Sequence, residues 1–456
     1  MDNKIRNNVN LQDAKARVTN FDEVSLGFTK EQMQIEATRC LGCKNAPCVQ
    51  GCPVGVHIPQ FIAKLKQNDL DGAVTEIKLT NNLPSICGRV CPQEKQCESR
   101  CVRKDKLGGS VNIGALERYV GDYALSKETE KVDIIKNGKK VAVVGSGPAG
   151  LTCAADCAKA GFDVTIFEAF QKAGGVLVYG IPEFRLPKDA VVKKEIDNLA
   201  ALGVKIQLNT VIGKTLYIED LLEEFDSIFI GTGAGLPMFM NIEGEALNGV
   251  YSANEYLTRC NLMKAYKEDA ITPIYRGKNV AVVGAGNVAM DSARTAMRLG
   301  AENVYVVYRR SEAEIPARHE EYLHAVEEGI QFMLLTNPIK IVGEKAVSGM
   351  VCQKMQLGEL DASGRARPIV IEGSEFTIAC DEVIMALGTS PNPLIKNSYK
   401  ALEITKRGTI VVSEDTMQTN IENIYAGGDT VTGSATVILA MGAGKTAAHS
   451  IIEKFK

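Results

Sequence analysis

The apolar positions change their period along the chain. In residues 58–67 (IPQFIAKLKQ) and 69–79 they recur at helical spacing, and in 112–125 Ile113, Leu116, Tyr119 and Val120 share one helical face. Short helices between cysteine-bearing loops predict a small helical unit over residues 1 to about 130. Residues 126–139 (SKETEKVDIIKNGK) are polar and read as a linker. There the pattern switches. Residues 139–168 read as an apolar strand (KKVAVVG), a Gly-rich turn (SGPAG), a helix (LTCAADCAKAG) and a second strand (FDVTIFE). Residues 278–310 repeat that order as KNVAVVG, AGNVAM, DSARTAMRLGA and ENVYVVYRR. Strands that are continuously apolar belong in a parallel sheet covered on both faces. Two such units predict an α/β protein with two nucleotide-binding domains behind the helical one. After 310 strands alternate with loops, 403–424 is polar and β-rich, and ENIYAGGDTVTGSATVILAMGAGKTAAHSIIEKF closes the chain as strand, loop and long helix.

Composition narrows the function classes. A length of 456 residues suggests roughly three domains. The net charge of -3, from 52 basic and 55 acidic residues, lacks the basic excess of a nucleic-acid binder. With 45% hydrophobic and 23% charged residues the profile is that of a soluble globular protein. No apolar run reaches the roughly 18 residues of a membrane span. The N-terminal MDNKIRNNVNLQDAKAR has no apolar core of a secretory signal, so a cytoplasmic location is expected.

Cysteines change the picture more than charge does. Of 13, eight fall between Cys40 and Cys101. In a chain expected to stay in a reducing compartment, clustered cysteines point to metal and not to disulfides. The first group is Cys40-x2-Cys43-x4-Cys48-x3-Cys52-Pro53, and the second is Cys87-x3-Cys91-Pro92-x4-Cys97-x3-Cys101. The bacterial ferredoxin run is C-x2-C-x2-C-x3-C-P, whose fourth Cys serves the other cluster. The spacing here is looser by a few residues, but the logic transfers to two [4Fe-4S] clusters. Thiolates also bind zinc, and cysteines can simply be buried; structural zinc favours two CxxC knuckles, and only one is present. Cys87 lies in an apolar stretch (LPSICGRV), where a small buried hydrophobe is its plain role. Cys153 and Cys157 share one helical face and suggest packing. None of Cys153, Cys157, Cys260, Cys352 and Cys380 forms the CxxC or CxxxxC pair of a dithiol relay.

The two Gly-rich turns carry dinucleotide chemistry. In Gly145-x-Gly147-Pro148-Ala149-Gly150 the first Gly makes the turn, the second lets backbone approach a pyrophosphate, and the third lets helix pack on strand. The helix N-terminus adds N–H donors. Glu168 ends the next strand, where an acid accepts hydrogen bonds from ribose hydroxyls. The second turn is Gly284-x-Gly286-Asn287-Val288-Ala289, and its second strand ends in Tyr308-Arg309-Arg310 with no acid. Arginines there favour the 2′-phosphate of NADP, with Arg318 a weaker third candidate; a solvated strand end is the plain alternative. Gly444-Lys445-Thr446 resembles the end of a phosphate loop, but Leu439 stands where that loop needs Gly, and a helix is the better reading.

Taken in order, the Cys40–Cys101 run, GSGPAG, KAGGVLVYGIPEFRLPK, VVGAGNVAMD and ENIYAGGDTVTGSATVILAMGAG resemble the glutamate synthase small-subunit family. That family includes NADPH-dependent small subunits, their stand-alone homologues, the large subunit of NADH-dependent ferredoxin:NADP oxidoreductase and the N-terminal half of dihydropyrimidine dehydrogenase. The resemblance implies a helical domain with two [4Fe-4S] clusters (1–130), an FAD domain (131–254 and 388–456) and an NADP domain (255–387) inserted into it. It implies that Gly428 and Asp429 contact the flavin's ribityl and pyrophosphate end, and that Thr436 and Val437 lie at the ring. It also implies that Gly175, Val176 and Arg185 face FAD, and that Ala386, Leu387 and Gly388 border NADP. One cluster would take Cys40, Cys43, Cys48 and Cys101. The other would take Cys52, Cys91, Cys97 and Glu117, leaving Cys87 outside; from the residues alone Glu117 is a surface acid.

The implied activity is a hydride and electron relay between NADP(H), FAD and the clusters, which needs no acid–base side chain. The chain is too short for the amidotransferase and FMN barrel of glutamate synthesis, so the first expectation is electron input to a partner subunit of an oligomeric assembly. The alternatives are a flavin-bifurcating ferredoxin:NADP oxidoreductase subunit working with a small flavin/[2Fe-2S] subunit or ferredoxin, the pyridine-nucleotide part of a dihydropyrimidine dehydrogenase, and an electron-distribution subunit of a larger redox complex.

Overall fold

The computed structural model describes residues 4–105, 108–128, 132–361 and 364–456. The expected boundary at 130/131, inside the expected linker, lies outside the described residues.

The N-terminal unit is helical, as the spacing predicts. Its helices Ile58–Lys66, Leu70–Lys78 and Ile113–Leu125 match the three amphipathic segments, with Lys30–Thr38 and Pro84–Val90 added. Their apolar faces meet in one core through Met33, Phe61, Ile62, Leu65, Ile77 and Leu116, all fully buried. Helix Pro84–Val90 lies against Ile113–Leu125 at very close range. A Cβ on Gly88 would stand 2.5 Å from Arg118 N, and one on Gly121 would stand 2.5 Å from Ser85 N. Only glycine permits that approach, and it brings the Cys87 helix against the Glu117 helix.

Two five-stranded sheets follow. The first runs in the order Ile424–Ala426, Ser227–Ile230, Lys140–Val144, Asp163–Phe167, Lys205–Gln207, all parallel. The second runs Gln331–Met333, Asn303–Val307, Asn279–Val283, Glu382–Met385, Val250–Ser252, also parallel. Each strand before a Gly-rich turn is buried almost throughout, the pattern expected of sheets with helices on both faces. The second sheet contains Val250–Ser252, so the expected first boundary at 254 falls inside the second unit. The chain crosses between units where Leu236–Pro237 pairs antiparallel with Thr389–Ser390. A three-residue strand such as Val250–Ser252 carries too little periodicity to be read from sequence.

An antiparallel sheet of Thr336–Gly343, Val347–Leu360, Ala366–Val370 and Phe376–Ile378 rides on the second unit. The polar segment 403–424, expected to be β-rich, forms only the isolated bridges Ile404↔Ile410 and Gln418↔Tyr425 before the strand at its end. The last helix, Val437–Lys454, packs along helix Pro148–Lys159 of the first Gly-rich turn. Lys445 sits in that helix and pairs with Asp156 at 3.1 Å, so it is a packing residue, as expected. Among the described residues no helix is long and apolar enough to cross a membrane.

Candidate functional site

The first Gly-rich turn is built as its sequence demands. Gly145 has φ +99°, and a Cβ there would stand 2.6 Å from Gly231 O. A Cβ on Gly150 would stand 2.0 Å from Gly145 O, the close packing of helix on strand. Gly147 has open space in front of it, at the N-terminus of helix Pro148–Lys159. That opening, with N–H groups behind it, suits a pyrophosphate.

The other expected flavin residues converge here. A Cβ on Gly175 would stand 2.9 Å from Gly147 Cα, and one on Gly428 would stand 3.0 Å from Ala149 Cβ. Val176 opens the short helix after Gly175, and Thr436 caps the last helix, whose first residue is Val437. Burial raises the Asp429 carboxyl to about 6, although Asp429 accepts a hydrogen bond from Ala435 N. Glu168 is buried and turned back on the loop: it accepts from Ser146 N (2.9 Å), Ser146 Oγ and Phe170 N (2.9 Å). Its first task in this fold is to hold the Gly-rich turn.

Arg185, expected to face FAD, has its guanidinium committed to an ion-pair cluster. It pairs with Asp291 at 2.6 Å and Glu321 at 3.0 Å, both on the second unit. These buried carboxylates hold the cation well above its usual range and tie it to the second unit.

In the second unit Gly284 and Gly286 repeat the turn. A Cβ on Gly284 would stand 2.4 Å from Ala386 O, while Gly286 faces open space. Val288, Leu387 and Gly388 rim the opening, with Val288 and Leu387 exposed. Asn287 opens the helix and accepts from Arg318 N at 2.8 Å. The two arginines at the strand end separate. Arg309 is exposed and carries no ion pair among the described residues. Arg310 is buried, donates to Ala366 O (2.8 Å) and pairs with Asp361 (2.6 Å), which pins the antiparallel sheet and removes Arg310 from a phosphate role. Arg318 is also committed, donating to Arg89 O of the helical unit and pairing with Glu320. The rims of the two dinucleotide openings touch where Thr389 Oγ1 meets Ser434 Oγ at 2.6 Å.

The thiols fall into two sets. Cys40, Cys43, Cys48 and Cys101 line one pocket whose remaining walls are mainly apolar, among them Ile58, Pro59, Ile62, Val111 and Ile113. By spacing Cys101 belongs to the second group, whereas the structure sets it in the pocket with Cys40, Cys43 and Cys48. The thiols are half-buried, and burial with neighbouring Cys40 and Cys101 pushes Cys48 up to about 11.

The second set is deeper. Cys91 is 6% and Cys97 8% exposed, and Glu117 is turned inward at 7%. Cys52, Cys91 and Cys97 each feel the Glu117 charge. Burial raises Glu117 to about 7, and the other charged groups acting on it, Glu195 and Glu98, are acids too. Four acidic donors gathered inside a protein, with no cation beside the carboxylate, form a costly arrangement unless positive metal offsets it. The donor types of both sets suit iron–sulfur clusters, although among the described residues no group of three or more His, Cys, Asp or Glu is arranged to hold a single metal ion. Cys87 borders the second set, touching Cys91, Asn81 Oδ1 (3.7 Å) and Met441 Sδ (3.5 Å). Cys153 and Cys157 are fully buried in helix packing, as expected.

Sequence reasoning missed the seam between this second set and the last helix. A Cβ on Gly442 would stand 3.0 Å from Pro53 O, beside Cys52. Met441 and Gly442 lie about five residues past Thr436–Val437, or about 7.5 Å along a helix axis. The signal is the CP dipeptide facing a Gly in the apolar first half of the last helix (VILAMGAG), legible only once the fold is known.

Two families match the chain. One, described as dihydropyrimidine dehydrogenase domain II, 4Fe-4S cluster, matches residues 17–129, and the pyridine nucleotide-disulphide oxidoreductase family matches residues 139–444. The chain is 39% identical to the putative oxidoreductase AegA of Escherichia coli, over 96% of this chain and 68% of that one. It is 35% identical to the glutamate synthase [NADPH] small chain of Escherichia coli, over 96% of this chain and 94% of that one. Among solved structures, FprA of Mycobacterium tuberculosis in complex with NADPH shares the fold over 69% of this chain and 84% of its own, with a TM-score of 0.58 at 19% identity. The chain thus belongs to the glutamate synthase small-chain branch of the pyridine nucleotide-disulphide oxidoreductases, NADP(H)-dependent flavoproteins with an N-terminal 4Fe-4S domain.

Proposed function

We propose that the chain is the electron-input subunit of a glutamate synthase-like assembly, drawing electrons from NADPH and delivering them one at a time to a partner subunit. The observation that carries this reading is the seam: the buried donor set lies against the helix that starts at Thr436–Val437, while the other set opens to the surface. When bound, FAD exchanges two electrons with NADP(H) and single electrons with the iron–sulfur clusters.

The residues divide the work. Gly145, Gly147, Pro148, Ala149 and Gly150 cradle the FAD pyrophosphate, with Glu168 bracing the turn and free lone pairs on its carboxylate for a ribose. Gly175, Val176, Gly428, Asp429, Thr436 and Val437 close that site. Gly284, Gly286, Asn287 and Val288 receive NADP(H), with Ala386, Leu387 and Gly388 along its rim. Arg309 meets the 2′-phosphate. Cys40, Cys43, Cys48 and Cys101 hold the outer cluster; Cys52, Cys91, Cys97 and Glu117 hold the inner one. Lys44, Lys66, Arg100 and Lys104 are exposed around the outer set, with Leu41 and Val102 as exposed apolar contacts. Such a collar suits an acidic redox partner, since complementary charge speeds encounter. The reading assigns the protein to the cytoplasm, where thiols stay reduced.

Arg309 gives the sharpest test of cofactor choice. Losing one charge-assisted contact of about 1.5–3 kcal/mol predicts a loss of about tenfold or more in kcat/KM for NADPH in Arg309→Ala, with NADH use unchanged. Arg310→Ala should instead lower Tm, because it leaves Ala366 O buried and unpaired, at about 1–3 kcal/mol. Equal loss for both cofactors in Arg309→Ala contradicts the assignment.

A further inference from the structure

Asn81 is fully buried and belongs to neither dinucleotide site nor to the donor sets. Its amide can adopt only one orientation. Leu83 N–H donates to Asn81 Oδ1 at 2.9 Å, and a backbone N–H can only donate, so that position must be the carbonyl oxygen. The Cys87 thiol lies against the same oxygen at 3.7 Å. The NH2 group is thereby aimed the other way, where it donates to Glu117 Oε1 at 2.7 Å. Among the described residues Glu117 Oε2 accepts no hydrogen bond.

The Leu83 contact is an Asx turn at the entry to helix Pro84–Val90. That helix carries Cys87 and ends at its cap residue, Cys91. Asn81 therefore ties a carboxylate on helix Ile113–Leu125 to the helix that delivers Cys91. It occupies one carboxylate oxygen and leaves the other unengaged.

We propose that Asn81 is a positioning residue for the inner iron–sulfur cluster: it orients Glu117 so that Oε2 is the ligating oxygen, and it weakens that carboxylate as an electron donor. The proposal rests on Glu117 being a cluster ligand, as read above. Hydrogen bonds to ligating carboxylates orient them and tune the metal, and losing such outer partners typically costs 10–100-fold. A donor N–H drawing density from the carboxylate favours the reduced cluster, so removing it should lower the midpoint potential.

The test is an anaerobic redox titration of full-length protein followed by EPR, with iron counted in parallel. Asn81→Ser keeps a hydroxyl that can accept from Leu83 N–H but cannot span to Glu117. The expected result is a change of about tenfold or more in the oxidised-to-reduced ratio of one cluster at fixed potential, or about 59 mV for one electron, toward lower potential. The other cluster should not move. In a Glu117→Ala background, Asn81→Ser should add no further change. Should Asn81→Ser fail to fold, Asn81→Asp keeps the size and the Leu83 contact while turning an oxygen toward Glu117, and the inner signal alone should be displaced. Unmoved potentials in Asn81→Ser with both clusters filled, an unmoved inner signal in Asn81→Asp, or the same shift with Glu117 absent would each overturn the proposal. A wild-type protein without iron would instead sink the functional reading above.

Discussion

The two donor sets of the N-terminal unit are made of nearly the same residues and sit in opposite surroundings. Cys40, Cys43, Cys48 and Cys101 line a pocket open to solvent, ringed by lysines and arginine. Cys91 and Glu117 sit on two helices held together by Gly88 and Gly121, with Cys97 buried near them, Cys52 half-buried and the last helix of the chain against the set. The physical consequences differ. The open set can meet a partner protein but is weakly shielded. The buried set is shielded, yet reaches solvent only through other groups, so its natural neighbour is the flavin site. Depth, more than ligand chemistry, orders the two along a path from NADPH to an external acceptor.

Breaking each set in turn should separate those roles. Removing a ligand exceeds the roughly 10–100-fold cost of losing an outer partner. In Cys91→Ala, NADPH should still bleach the flavin, but reduction of the outer cluster should slow by more than about 100-fold. In Cys43→Ala the inner cluster should remain reducible by NADPH, and only transfer to external acceptors should fail. Rapid-freeze EPR after NADPH addition distinguishes the two, and equal behaviour of both variants would dissolve the proposed order. A second, smaller contrast concerns exposure: air or a chelator should remove the outer cluster's signal several times faster than the inner one's, with flavin content constant. The smallest effect should come from charge. Lys44→Glu with Lys104→Glu should slow reduction of an acidic acceptor a few-fold at low salt, with the difference fading as ionic strength rises and the Debye length falls below about 8 Å. Flavin reduction by NADPH should stay the same.

Much of this architecture is legible in the residues, because its signals are local. Strand, glycine turn and helix follow one another within about thirty residues in both dinucleotide units, and the amphipathic helices declare their faces by spacing. What escapes is long-range pairing. Arg185 is read as a flavin contact, and its partner Asp291 lies 106 residues later. Arg309 and Arg310 are indistinguishable in sequence, yet in the bend after strand Asn303–Val307 one is exposed to solvent and the other reaches Asp361. The inward turn of Glu117 contradicts the ordinary rule for an acid on a helix, and two of the residues that allow it, Asn81 and Gly88, lie on other segments.

The central claim is that one chain joins NADP(H), FAD and two clusters in a single path. Anaerobically purified protein should contain about eight iron and eight sulfide per chain, the total for two cubanes. The most direct measurement is stepwise addition of NADPH to that protein, with flavin absorbance and EPR recorded on the same samples. The account predicts flavin bleaching accompanied by two distinct reduced-cluster signals. Zinc in place of iron, or iron that stays oxidised while the flavin is fully reduced and exchanging electrons with added acceptors, would contradict it.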